Sequence, residues 1–156
     1  MITLDIVAEA EGWPAEAEAA ARRAAAAAVA GEGAEPLAAT LLLADDAAVR
    51  ILNRDWRGQD KPTNVLSFPA DMPTPPGEPR QLGDVALALE TVAREAALEG
   101  KSLPDHVAHL VVHGILHLLG ADHETDGEAD AMEAREIAAL ARIGVADPYG
   151  RTAPSP

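Results

Sequence analysis

His113-Gly114-Ile115-Leu116-His117-Leu118-Leu119-Gly120-Ala121-Asp122-His123 carries three of the five histidines of this 156-residue chain. His113 and His117 are one helical turn apart, so their rings leave the same face of a helix. Gly120 allows the chain to turn, and the turn can bring His123 back towards that face. Three neutral imidazoles leave a fourth tetrahedral position on zinc for water, the arrangement of a catalytic site rather than a structural one. Val111, Val112, Ile115, Leu116, Leu118 and Leu119 flank the histidines and predict a buried helix that holds the rings rigidly. A single histidine on an apolar helix is more often a core residue with one hydrogen bond. The pair, the glycine and the third histidine together carry the metal reading.

The neighbours of these histidines narrow the chemistry. The zinc-peptidase pattern His-Glu-x-x-His places its general base beside the first histidine. This chain has Gly114 there, so a peptidase reading lacks its base. His109 lies one turn before His113, but His109 to His117 is a rise of about 12 Å, too long for all three to share one ion. His109 is therefore expected in the packed core or behind a ligand, and His106, at the helix start, is expected to be exposed. Asp122 either orients an imidazole or shapes the turn after Gly120. Ser67 reads as a strand hydroxyl, with no base arranged for it.

Length and composition suit one domain with a real core, expected over residues 1–144, followed by a loose tail over 145–156. Aromatic residues are only 3% of the chain, so the core must be aliphatic. The absence of cysteine excludes disulfides and thiolate metal sites, which fits a reducing compartment. Met1 to Asp5 lacks a basic region followed by an apolar run, and no apolar stretch approaches the roughly 20 residues of a membrane span. The expectation is a cytoplasmic protein with no membrane partner. A net charge of −14 argues against a generic nucleic-acid binder. Arg50, Arg54, Arg57 and Lys61, opposed by Asp55 and Asp60, still form a local basic patch able to meet phosphates; each is as readily a solvated helix residue.

Alternation predicts a strand at Ile2 to Ile6, and Pro14 opens an alanine-rich helix to about Ala30, stopped by Gly31. Ala38 to Ala44 reads as a strand, followed by a helix capped by Asp45 or Asp46 and running to about Trp56. Asn64 to Phe68 and Gly83 to Leu89 read as strands around a proline-rich loop. Thr91 can cap a helix ended by Gly100. Ser102 with Asp105 opens the histidine helix, and Thr125 with Glu128 opens a last helix that Gly144 closes. The fold class is α/β or α+β: about four strands and five helices, with the histidine helix packed near the sheet.

Three segments then stand on one chain: Leu52 to Pro69 (with Arg57 and Lys61-Pro62-Thr63-Asn64-Val65-Leu66-Ser67-Phe68), Leu82-Gly83-Asp84-Val85, and His109 through His123. Together they closely resemble the YbeY family, bacterial metal-dependent endoribonucleases of ribosomal RNA maturation. The resemblance runs from about Thr40 to Ile143, and the Lys-Pro-Thr-Asn-Val-Leu-Ser-Phe stretch has no counterpart in zinc peptidases. It implies that His113, His117 and His123 are metal ligands and that Arg57 is functionally important. Trp56 replaces a more usual tyrosine, and Ala121 stands where tyrosine commonly precedes Asp-His; neither touches a ligand.

The resemblance implies cleavage of single-stranded ribosomal RNA, at the 3′ end of the small-subunit RNA and in ribosome quality control. One zinc ion, with nickel or another divalent metal as alternatives, would polarise a phosphodiester oxygen or activate water, its bound water having a pKa of about 7. Arg57 would steady charge on the phosphate through its planar fork. Gly114 would leave room beside the metal for the RNA backbone. Water and the RNA 2′-hydroxyl are both open as nucleophile. Two rivals stand beside this reading: a zinc peptidase or other metallohydrolase, and a non-catalytic, metal-stabilised ribosome-assembly factor whose acidic body docks on basic ribosomal proteins.

Overall fold

The structure is a computed structural model and describes residues 1–150. Ile2, Leu4 and Ile6 alternate through β1 (Ile2–Ala8), which leads into α1 (Ala15–Ala28). The apolar run β2 (Leu37–Ala44) follows, then α2 (Asp46–Arg57), β3 (Val65–Pro69) and β4 (Arg80–Ala88). Three helices complete the described residues: α3 (Leu89–Leu98), α4 (Leu103–Leu118) and α5 (Asp126–Arg142). The sheet order is β1-β2-β4-β3. β1, β2 and β4 run parallel, and β3 pairs antiparallel with β4, with Ser67 opposite Val85. β3 is therefore an edge strand, and this edge forms one wall of the site.

Period-two alternation splits the sheet residues between two cores. Leu41, Leu43, Val85 and Leu87 enter the larger core beneath α1 and α4. Ala44, Leu66 and Ala88 meet Val49 of α2 on the opposite face. Ala17, Ala21, Ala24 and Ala25 of α1 are fully buried. Their small side chains let α1 lie close to α4, since interaxial distance follows side-chain size at the contact.

The ends of several elements differ from the sequence reading, each for a tertiary reason. β4 begins at Arg80, three residues before Gly83, because Arg80 and Gln81 pair with Leu37 and Ala38 across a register shift. Asp45 caps α2 by accepting from the Ala48 amide at 2.8 Å. Asp46 instead reaches across to α3, accepting from the Thr91 amide at 3.0 Å and its hydroxyl at 2.9 Å. The Asp46 amide in turn donates to Glu90 at 2.9 Å. Thr91 is thus the third residue of α3 and not its cap, which is Ala88. His106, expected at the surface, is 3% exposed, and its Nε2 lies 2.9 Å from Glu95 Oε1.

Gly114 seats α4 on the sheet. A Cβ there would stand 2.8 Å from Val85 Cγ1 and 3.2 Å from Ser67 Oγ. The Ser67 hydroxyl donates to the Gly114 carbonyl at 3.2 Å, tying helix and edge strand together. This glycine therefore serves close packing against β3 and β4, and it does not clear space on the ligand side of the helix.

No helix among the described residues is long and apolar enough to cross a membrane. Residues 151–156 of the expected tail lie outside the described residues. Before them, Tyr149 lies against α4 and α5, its hydroxyl donating to Glu136 at 2.7 Å.

Candidate metal centre

Ser102 caps α4 by accepting from the Asp105 amide at 3.2 Å, and the apolar stripe of α4 carries His113 and His117 to its last two turns. The helix ends in a Schellman turn. Gly120 adopts φ +102, its amide donates to the His117 carbonyl at 3.0 Å, and the Ala121 amide donates to the Leu116 carbonyl at 3.0 Å. The Asp122 carboxylate then accepts from the His123 amide at 2.7 Å. Asp122 therefore shapes the turn, and His123 comes back over the helix end.

The three rings converge. Their centroids are 4.7 Å apart for His113 and His117, 5.0 Å for His117 and His123, and 5.9 Å for His113 and His123. One nitrogen from each lies within 4.8 Å of the other two, close enough for three side chains to share one ion. Burial lowers the pKa of His117, and the neighbouring His113 and His123 lower it further. The neutral, ligating form is thereby favoured.

Behind the cluster lies a carboxylate that sequence reading missed. Glu136 of α5 is 1% exposed. Its Oε2 is 3.2 Å from His113 Nδ1, and its Oε1 is 2.8 Å from His109 Nε2. Burial pushes its carboxyl up, but hydrogen bonds with His109, His113 and Tyr149 outweigh burial and hold it at about 2. An ionised Glu136 only accepts, so His113 keeps its proton on Nδ1 and turns the lone pair of Nε2 outward. His109 thus stands behind His113, sharing its carboxylate. The available signal was an acid on an apolar helical stripe: Met132, Glu136, Ala139 and Leu140 are the buried residues of α5. The donor set fits a divalent ion held by nitrogen: three convergent imidazoles, one locked in its ligating tautomer by a charged acceptor.

Arg57 and Ser67, with the three histidines, line one cleft of about 560 Å³. An Arg57 Nη2 hydrogen donates to the Ser67 carbonyl at 2.6 Å, anchoring the guanidinium on β3. Of the four neighbouring cations, Arg50 is paired with Asp60 at 2.7 Å and Arg54 with Asp55 at 3.0 Å. Arg57 and Lys61 have no carboxylate partner among the described residues. Asn64 is held at the start of β3 by Glu95, which also engages His106.

A zinc-peptidase arrangement does not fit this cleft. Position 114 faces the sheet, with no room for a glutamate. Arg57 occupies a β3 carbonyl that an extended peptide would need for strand pairing.

A family model described as Endoribonuclease YbeY matches residues 7–144. This chain belongs to the YbeY family. It is similar to a protein named Endoribonuclease YbeY from Rhodopseudomonas palustris strain BisA53, with 54% identity over 152 residues, covering 93% of this chain and 88% of the relative. It is similarly close to the protein of that name from Azorhizobium caulinodans, at 50% identity over 151 residues, covering 94% and 95%. A solution structure of a Thermotoga maritima protein shares the fold, with a TM-score of 0.57 at 21% identity over 99% of each chain. The YbeY match begins at Val7, so it takes in α1 and β2 as well as the motif segments from Thr40 onward.

Proposed function

We propose that this chain is a metal-dependent endoribonuclease of ribosomal RNA processing, cutting single-stranded RNA at the 3′ end of the small-subunit RNA. His113, His117 and His123 hold the ion, zinc in this reading, and Arg57 holds the phosphate. The observation that carries the proposal is one cleft bearing both the three convergent imidazoles and an arginine without a carboxylate partner among the described residues. A bound divalent ion supplies Lewis acidity towards a phosphoryl oxygen or water. The chain does the rest. Glu136 fixes the proton of His113 on Nδ1. The Ser67 carbonyl holds the Arg57 plane, leaving its other N–H groups to grip phosphate oxygens in pairs. The family name of the curated relatives favours RNA over peptide as substrate. The cytoplasm, and basic ribosomal proteins as partners for the acidic body, belong to the same proposal.

The test is cleavage of an RNA carrying the small-subunit 3′ end by metal-loaded wild type beside His117→Ala and Arg57→Ala. The expected result is cleavage by wild type, none by His117→Ala, and a loss of about 10²- to 10³-fold for Arg57→Ala. Products ending in a 2′,3′-cyclic phosphate would assign the 2′-hydroxyl as nucleophile. Intact RNA with folded, metal-loaded wild type would overturn the enzyme reading in favour of an assembly factor.

A further inference from the structure

Trp56 is 72% exposed at the last turn of α2, in a chain with only two tryptophans and four aromatic side chains of the Phe, Trp and Tyr types. An indole left in water forfeits the stabilisation of burying its large apolar face, so the position asks for a ligand. Its neighbours specify which. The Phe68 ring packs against it edge to face, with centroids 6.4 Å apart at 65°. The Arg57 guanidinium carbon lies 5.8 Å from the Phe68 centroid. The same Arg57 donates to the β3 edge and lines the histidine cleft. Trp56, Phe68 and Arg57 thus follow one another in space, and the last of them lines the cleft.

The platform is built to be rigid. Gly58 ends α2 in the left-handed region, with its amide on the Arg54 carbonyl and the Gln59 amide on that of Asn53. Buried Asn53 pins the following loop by donating to the Lys61 carbonyl at 2.8 Å. The same helix and the loop after it carry exposed ion pairs, Arg54 with Asp55 and Arg50 with Asp60. A small aromatic surface on a charged helix is poorly suited to a stable protein interface, which needs a contiguous apolar centre. It suits a nucleobase, whose face stacks on an aromatic ring while its phosphate meets an adjoining cation.

We propose that Trp56 and Phe68 form a stacking platform for a nucleobase of the single-stranded RNA, adjacent to the phosphate held by Arg57. This rests on the ribonuclease reading above and adds to it a feature that selects unpaired strands: a paired base must first lose its pairing and stacking to lie on the platform, at a cost an unpaired base does not meet.

The experiment compares metal-loaded wild type, Trp56→Ala and Trp56→Phe on a short single-stranded RNA. In parallel, a Trp13→Phe protein, in which Trp56 is the one indole, is titrated with a base-bearing oligomer and with an abasic one. Trp56→Ala is expected to raise KM about tenfold, with the loss carried by KM and not kcat, and Trp56→Phe to recover most of it. The indole fluorescence is expected to be quenched by the base-bearing oligomer and not by the abasic one. If wild type cuts RNA and Trp56→Ala matches its KM, the platform is overturned alone and the exposed ring falls to a protein partner. If wild type cuts no RNA, the ribonuclease reading and this inference fall together.

Discussion

Glu136 keeps a negative charge in one of the driest positions of the molecule, and three hydrogen-bond partners make that possible. Replacing it with glutamine keeps the shape but removes the charged acceptor, so His113 loses its bias towards the Nδ1–H tautomer. Glu136→Gln is expected to weaken metal binding by about 10- to 100-fold, read by competition with a coloured chelator. The same carboxylate shapes acid stability. Its ordinary value is 4.5 and its folded value about 2, so the folded state binds fewer protons than the unfolded one between them. The stabilisation is complete above about pH 4.5 and disappears as pH falls through 2; its size is about 3 kcal/mol. In metal-free melts, wild type should exceed Glu136→Gln at pH 7, and the two should converge towards pH 2. A gap independent of pH would show that packing, not charge, sets the difference.

The turn after α4 is the element on which the metal centre hangs. His113 and His117 owe their common face to helical spacing, but His123 owes its position to the Schellman turn at Gly120, with φ +102. A Cβ at Gly120 would meet no neighbour, so the cost of Gly120→Ala is purely conformational, about 1–2 kcal/mol. If the turn relaxes to relieve that cost, His123 leaves the other two rings. Gly120→Ala is therefore expected to lose metal affinity while thermal stability of the metal-free protein falls only modestly. Equal metal affinity, measured by calorimetric titration, would show that the loop after Gly120 positions His123 without help from the turn.

Net charge governs how the whole molecule meets RNA. The chain carries −14, and the basic patch shrinks to Arg57 and Lys61 once Arg50 and Arg54 are paired with acids. Few phosphates can then be neutralised by side chains. For single strands, each such contact contributes about −0.7 to the slope of log affinity against log salt. A slope of about −1 to −1.5 is expected for a short single-stranded DNA of the substrate sequence, measured by fluorescence anisotropy on metal-loaded protein. A slope steeper than about −3 would reveal a basic surface contributed by other residues. Long-range attraction is weak in such a molecule, and specificity must come from the cleft and the bases.

The convergence of His113, His117 and His123, the helix that carries the first two, the turn at Gly120 and the α/β class were all legible in the sequence. Each depends on interactions between residues close in the chain: one helical turn for His113 and His117, period-two alternation for β1, a side-chain cap for α4. The family was legible too, because its motif segments are contiguous. The sheet order β1-β2-β4-β3 was not, since strand pairing joins residues far apart and leaves little local trace. Nor were the bond from Thr91 of α3 to Asp46, Glu95 beneath His106, or Tyr149 against α4, which join residues 45, 11 and 40 positions apart. Glu136 left a faint mark as an acid on an apolar stripe, but a stripe shows that a side chain is buried and not what it meets. Gly114 shows the limit most plainly. The sequence alone excluded a general base there, and only the packing of α4 on Val85 and Ser67 decided that no side chain fits at all, because van der Waals contact with the sheet leaves no volume for one.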